Sequence, residues 1–508
     1  MNLNTLNNPL TEQEIEQFQL TPYRDPHRIT PFLKQQETKK SRKVMASLAQ
    51  AIHQFGLTDG MTISFHHAFR GGDKTINMVM DVIASMGIKH LTLASSSLTS
   101  VHSPLVEHIK NGVISKIYTS GIRGELADAI SLGLMDEPVH IHSHGGRVHL
   151  VQSGDIHIDM AFIGVPCCDE FGNANGVKGK SICGSLGYAK IDAEYADQVV
   201  MLTESLVEYP NYPASISQDK VDAVVLVDEV GDASKIGGDA TRMTTNPREL
   251  LIAKQAAEVI EHSGYFQDGF SMQTGSGGAS LAVTRFLKDK MLRSDIRASF
   301  ALGGITATMV DLHEQGLIDY LLDVQCFDSV AAQSLAKNPH HLEISANEYA
   351  NPSSKGAVVD RLDVVILSAL EIDTQFNVNV ITGSDGVIRG ASGGHSDTAA
   401  AANLAIIVAP LIRGRIPTVV ETVTNIITPG ETIDVLVTDQ GIAVNPNRPE
   451  LKQRLLEAHL PVVDIEELQR RAERLTGKAQ PLKFEEKTVA FVHYRDGSVI
   501  DVIKQVKR

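Results

Sequence analysis

Apolar residues recur along this chain in two rhythms, a helical spacing and short unbroken runs, and the two alternate over most of its length. From Lys40 to Phe55 the period is helical. MTISF and HLTLASSSL then read as strands around the helix TINMVMDVIASMG, a β-α-β unit. The alternation continues through VISKIYTS, the histidine-rich strand VHIHSH, with Gly145-Gly146 after it suggesting a hairpin, and HIDMAFIGV. Such alternation favours an α/β sheet with parallel segments. A second series opens with a helix over 247–262: Asn246 caps it, Pro247 suits its first position, and Gly264 lies just past its last apolar residues. It runs on through FSMQTGSGGASLAVTRFL, SFALGGI, LSALEID, IIVAP and IDVLVT. A helix opening at Asp464 and a hairpin, TVAFVHYRDGSVIDVI turning at Asp496-Gly497, follow.

The two series are copies of one another. DMAFIGVPCCDEFGNANG from Asp159 overlays DVVILSALEIDTQFNVNV from Asp363, matching Asp159 with Asp363, Asp169 with Asp373, Asn173 with Asn377 and Asn175 with Asn379. Upstream, His53, Asp59 and Gly60 match His262, Asp268 and Gly269. A period of about two hundred residues lies far beyond solenoid repeats and reads as two homologous domains. The predicted division is an N-terminal extension over 1–39, a first domain over 40–231, a linker of small and polar residues over 232–246, and a second domain over 247–508 that includes the helix from Asp464 and the hairpin. At one equivalent strand end the first copy has Cys167 and the second has Glu371.

Composition agrees with this picture. A length of 508 residues is too great for one core, and 43% hydrophobic with 21% charged residues is a globular balance. A net charge of -15 without clustered Lys and Arg argues against nonspecific nucleic-acid binding. The polar, acidic N-terminal stretch lacks the features of a signal peptide, and the longest apolar run, from Ala399, is too short to span a bilayer, so no membrane segment and a cytoplasmic location are expected. The four cysteines lack zinc spacing, and Cys167 and Cys168 are adjacent, which argues against a disulfide framework.

Four places offer chemistry. Glu371 ends an apolar strand, and ligands of open α/β sheets bind beyond the carboxyl ends of strands. A carboxylate facing the glycine loop GGHSD suits acyl transfer: Glu371 attacks a thioester carbonyl or orients the attacker, Gly393 and Gly394 hold the oxyanion through their amides, and Asn379 positions. A tight turn is the plainer role for the two glycines. TGSGGAS, with Gly275, Gly277 and Gly278, opens a helix whose amides could hold phosphate, but it lacks the Walker ending and dinucleotide spacing. Its counterpart FRGGDKTIN adds positive charge through Arg70 and Lys74 beside Gly71 and Gly72, and could meet anionic carboxylates or a phosphopantetheine-bearing partner. His140, His142 and His144 alternate on a strand and share a face, but without a suitably spaced carboxylate they read as half-exposed strand residues, and no metal site is expected.

The duplicated halves, LSALEIDTQFNVNV, GASGGHSD and TPGETIDVLVTDQGIAVNP together resemble the coenzyme A transferase superfamily. Within it the chain is most similar, over nearly its full length, to the citrate lyase alpha-chain family. The resemblance implies two tandem CoA-transferase-type α/β domains and an exchange of acyl groups on a carrier thiol: acetyl-carrier plus citrate gives citryl-carrier plus acetate. It further implies a gamma chain as acyl carrier protein with a phosphopantetheine-type prosthetic group, a beta chain that cleaves citryl-carrier, acetyl-CoA as a surrogate substrate, and no tightly bound cofactor in this chain. The superfamily glutamate that forms a glutamyl thioester matches Glu371, whereas citrate-lyase-type transferases pass the carrier directly through a mixed anhydride; both routes stay open for Glu371. Citrate's three carboxylates call for Arg or Lys, and Arg70, Arg242 and Arg389 lie in glycine-rich loops. Two rival readings are a transferase acting on free acyl-CoA and another small acid, and a noncatalytic assembly scaffold.

Overall fold

The structure is a computed structural model that describes residues 42–237, 242–275, 277–478 and 482–507, together with the helical pair at 16–17. The predicted extension over 1–39 otherwise lies outside the described residues. Residues Lys43–Arg508 form one compact unit.

Two large sheets share one strand order. In the first, the order is Val139–Ile141, Ile114–Thr119, Leu91–Ser95, Thr62–Phe65, Met160–Val165, Gln198–Thr203 and Ala223–Leu226, with Val44–Met45 at the edge. In the second it is His341–Glu343, Ile318–Cys326, Ala298–Ile305, Phe270–Thr274, Val364–Ser368, Leu404–Val408 and Val435–Thr438, closed by the antiparallel strand Gly441–Val444. The first seven strands of each run parallel, so each sheet reverses its winding at one place, between Thr62–Phe65 and Met160–Val165 and between Phe270–Thr274 and Val364–Ser368. Crevices open at the carboxyl ends of strands at such switch points.

The duplication extends to individual hydrogen bonds. Asp159 Oδ2 accepts the amide of Thr62 at 2.7 Å, and Asp363 Oδ2 accepts that of Ser271 at 2.9 Å. Asp59 accepts from the amide of Lys89 as Asp268 does from that of Arg297. Asp169 and Asp373 each brace a turn, taking the amide and side-chain amide of Asn173 and Asn377. These aspartates survive in both copies because each satisfies a backbone amide that the sheet leaves without a partner.

Residues of the second sheet alternate between two cores with the strand period of two. Val365, Leu367, Ala405, Ile407 and Leu436 join the core shared with the first half, while Val364, Ile366, Leu404, Ile406 and Val435 face the core that packs the helices Pro247–His262 and Gly278–Ser294. Burial on both faces explains why these strands appear in sequence as unbroken apolar runs.

Helix Pro247–His262 forms as predicted, with Asn246 accepting the amide of Arg248. The segment read as a helix from Lys40 instead gives the edge strand Val44–Met45 and then the helix Leu48–Gln54, because Ser47 accepts the amide of Gln50 and starts the helix there. No hairpin follows the histidine strand. Ser143 caps the helix His144–Ser153, and a side chain at Gly145 would lie 2.0 Å from the carbonyl oxygen of Ala350, so the glycine serves close packing. The hairpin Phe484–His493 and Val499–Val506, assigned from sequence to the second domain, pairs with the first sheet alongside Val139–Ile141, covering a strand edge that would otherwise stay open. Of the predicted linker, 238–241 lie outside the described residues, and its start packs on the first half: the amide of Asp232 donates to Gly72 O at 2.9 Å.

Candidate functional site

Loops leaving the carboxyl ends of both sheets converge on a cleft of about 800 Å³. The first half contributes His67 and Arg70 after Thr62–Phe65, Arg123 after Ile114–Thr119, and His144 after Val139–Ile141. The second contributes Thr274 and Gly275, Gln325 and Phe327, Ser368 to Leu370, and the glycine loop Ser392 to His395. That glycine loop is zipped onto the first half: the amide of Ser392 donates to Ser120 O at 2.8 Å, that of Ile122 to Gly390 O at 3.2 Å, and that of His144 to Gly393 O at 2.8 Å. A side chain at Gly121 would lie 2.1 Å from Ala391 Cβ, so only glycine lets the two loops touch.

The cleft is positive in a chain of net charge -15. Arg70, Arg123 and Arg413 line it, and none forms an ion pair among the described residues. Desolvation lowers the pKa of each guanidinium, that of Arg70 to about 10 with the charge of Arg123 contributing. Arg70 sits at φ +50, in the left-handed region that few non-glycine residues adopt, with its guanidinium 4.2 Å from the centre of the Phe327 ring. Arg413 donates to the carbonyls of Ala369 and Leu370. His67 stacks on Tyr188 and His144 packs tilted against it; burial favours the neutral form of both imidazoles, lowering the pKa of His144 to about 3. His144 Nδ1, Gln273 Oε1, Thr274 Oγ1 and Ser392 Oγ are buried without a hydrogen-bond partner among the described residues. Unpaired guanidiniums and unsatisfied polar atoms are costly unless a polar, anionic ligand completes them.

The glycine pair predicted as oxyanion donors lines this cleft. Gly393 adopts φ +54, and a side chain at Gly394 would lie 2.5 Å from Tyr349 Oη. Neither amide donates to an acceptor among the described residues. The adjacent His395 is engaged at both ring nitrogens, by Thr428 Oγ1 at 2.7 Å and Ser368 O at 3.0 Å.

Glu371 and Asn379 face elsewhere. Glu371 and Asn379 pair across the antiparallel strands Glu371–Asp373 and Val378–Asn379, and the residues that flank them, Leu370 and Val380, line the cleft, so the alternating Glu371 and Asn379 point away. Glu371 lines a separate cavity of about 380 Å³ with Thr424, Glu421, Glu473 and Lys478. Its carboxylate accepts from Asn379 Nδ2 at 2.9 Å, from the Thr424 amide at 2.9 Å and from Thr424 Oγ1 at 3.2 Å. The predicted carboxylate and the predicted oxyanion donors are therefore not on one cavity.

Of the remaining predicted residues, Gly71 and Gly275 line the cleft. Gly72 is fixed by packing, a side chain there meeting Asp232 O at 2.2 Å. Lys74 is exposed and paired with Glu229. Gly277 and Gly278 begin the helix Gly278–Ser294 without lining the cleft. Arg389 is at the rim, tied to Asp128 at 3.0 Å and Asp385 at 2.7 Å, and Arg242 is exposed outside it. Arg123, Arg413, His67 and Tyr188 were not anticipated; the position of Arg123 in a loop directly after a strand was the available signal.

The family described as "Citrate lyase, alpha subunit (CitF)" matches residues 41–506. The chain belongs to this family. Among citrate lyase alpha chains, that of Escherichia coli (strain K12) is 71% identical over 473 residues, covering 93% of both chains, and that of Klebsiella pneumoniae is 66% identical over 98% of both. The putative alpha subunit of citrate lyase from Streptococcus mutans, solved in complex with citrate, is 52% identical with a TM-score of 0.92, covering 99% of this chain and 100% of that one. A malonate decarboxylase alpha subunit from Acinetobacter baumannii shares the fold at a TM-score of 0.64 and 16% identity, over 87% of this chain and 94% of its own. In this member of the family the cleft is lined by loops from two copies of one sheet.

Proposed function

We propose that the chain is the citrate:acetyl-carrier transferase subunit of a cytoplasmic citrate lyase, and that citrate binds in the cleft against Arg70 and Arg123. The observation that carries this reading is the pair of guanidiniums without carboxylate partners at the meeting point of both sheets, in a chain half identical to a citrate-bound relative. Three carboxylates on one small molecule supply the acceptors that these donors lack.

In the reaction, a citrate carboxylate oxygen attacks the acetyl thioester carbonyl, and the carrier thiolate leaves as the mixed anhydride forms. The thiolate then attacks the citryl carbonyl of the anhydride and acetate departs. No water or phosphate is consumed. In this reading the amides of Gly393 and Gly394, which have no acceptor among the described residues, hold the oxyanion of each addition. The thioester arm belongs to a gamma-type acyl carrier protein with a phosphopantetheine-type group, and the citryl product goes to a beta-type lyase chain. Because Glu371 faces the second cavity, this reading assigns it a positioning role on the strand that presents Leu370 to the cleft.

The isolated chain is mixed with acetylated carrier, or acetyl-CoA as surrogate, and citrate, and acetate and citryl thioester are followed by mass spectrometry. Both should form, and Arg123→Ala should raise KM for citrate by about tenfold or more, the scale of one lost charge-assisted contact, with a smaller change in KM for the thioester. An unchanged citrate KM would remove Arg123 from the site. Absence of transfer with either acyl donor would favour an assembly role.

A further inference from the structure

Away from the cleft, three histidines meet on the outer part of the first sheet. His140 belongs to the strand Val139–Ile141, and His142 follows two residues later on the same face. The hairpin strand Phe484–His493 runs parallel beside it with Phe491 opposite His140 and Val492 opposite Ile141, which brings His493 level with His142. A ligand nitrogen from each of the three lies within 4.8 Å of the others.

The hydrogen bonds leave His142 open and couple the other two rings to each other. His493 Nδ1 lies 3.0 Å from the carbonyl oxygen of Gly497, so Nδ1 carries the proton and Nε2 the lone pair. That Nε2 accepts a hydrogen bond from His140 Nδ1 at 2.9 Å, and moving the His140 proton to its Nε2 turns both lone pairs toward one point. His142 is buried, and neither of its ring nitrogens has a hydrogen-bond partner among the described residues. Burial favours the neutral form of all three rings, with neighbouring imidazoles adding to the effect for His140 and His142. A neutral imidazole oriented by a carbonyl through its second nitrogen is the usual form of a metal-ligating histidine. Two cations lie near the cluster: Arg147, neutralised by Asp192 through bonds of 2.7 and 3.0 Å, and Lys116, whose ammonium is 4.9 Å from the centre of the Tyr118 ring that stacks on His140.

We propose that His140, His142 and His493 form a binding site for Zn²⁺ that fastens the hairpin to the first sheet. An all-imidazole set suits a borderline divalent ion such as zinc and not Mg²⁺ or Ca²⁺, which take oxygen ligands. Three protein ligands leave the fourth tetrahedral position for water. The ion satisfies one of the two buried nitrogens of His142 and replaces the contact between His140 and His493, so its effect falls on the stability of the hairpin rather than on acyl exchange.

The full chain, stripped with a chelator and dialysed into a buffered zinc solution, is assayed for bound metal, thermal unfolding and, with Co²⁺ as probe, visible absorption. Wild type should hold one tight equivalent, show tetrahedral Co²⁺ bands and unfold at a higher temperature with metal. His493→Gln, at a half-exposed position outside the cleft, should weaken binding by a factor of about ten or more, as loss of even an outer partner does, and lose the metal-dependent rise in unfolding temperature. His157→Ala should change none of this; His157, with Asp159 and Asp197, forms a more exposed candidate cluster. Retention of the tight equivalent by folded His493→Gln, its loss in His157→Ala, or no tight equivalent in wild type overturns the proposal.

Discussion

The direction of one residue, Glu371, is what the proposed positioning role rests on. Its carboxylate is saturated by Asn379 and Thr424 on the side of the strand away from the cleft. Truncation by Glu371→Ala leaves the half-buried Thr424 amide without its acceptor and takes one acceptor from Asn379 Nδ2, which keeps Thr382, a penalty of about 1–3 kcal/mol in all, and should strongly lower transfer while the fold persists. Glu371→Gln keeps a carbonyl oxygen that can accept one of those bonds and should restore much of the rate. A covalent glutamyl route predicts that both variants are dead, so single-turnover assays of the two distinguish positioning from attack. That Glu371 is special was legible from its asymmetry with Cys167. Its direction was not, because alternation along a two- or three-residue strand is too short to reveal which face borders a cavity.

At the scale of elements, the helix His144–Ser153 of the first half is capped from the second. Asp397, on the helix His395–Ala401, accepts from the amide of Gly145 at 2.9 Å and from Ser143 Oγ at 2.8 Å. Burial raises its pKa from 3.8 to about 6, and the bonds from Gly145 and Ser143 only partly offset this. The folded protein therefore binds this proton more tightly than the unfolded chain. The stability it contributes is full below about pH 4 and is lost as pH rises through about 6, a change on the order of 3 kcal/mol. Asp397→Asn should flatten that portion of the stability profile, as read from urea midpoints between about pH 4 and pH 7. The GGHSD segment stood out in sequence as a glycine loop for oxyanion binding. Its aspartate as a cap for a helix about 250 residues earlier did not, since capping rules read only local spacing.

For the whole molecule, the hairpin Phe484–His493 and Val499–Val506 joins the two halves. It extends the first sheet, and Asp501 Oδ2 accepts the amide of Ile426, in the second half, at 2.7 Å. Val489, Val492 and Ile503 are buried there, each worth about 1.5–3 kcal/mol. Deleting 482–508 should remove at least ~4 kcal/mol of stability, expose the edge of Val139–Ile141 and promote self-association, measurable by thermal unfolding and light scattering. Retention of the full unfolding temperature would show that the hairpin is peripheral.

The sequence by itself determined the duplication, the parallel α/β character, the helix Pro247–His262 and the glycine loop, because each is written in local periodicity or in a repeat that can be laid over itself. Only the tertiary structure decided that Arg70 and Arg123 share a cleft, that Glu371 turns from it, and that His493 meets His140 and His142. These facts depend on which strand ends converge and which edge a hairpin covers, and such long-range pairings are selected by burial of the whole chain at once, leaving no signature in the spacing of neighbouring residues.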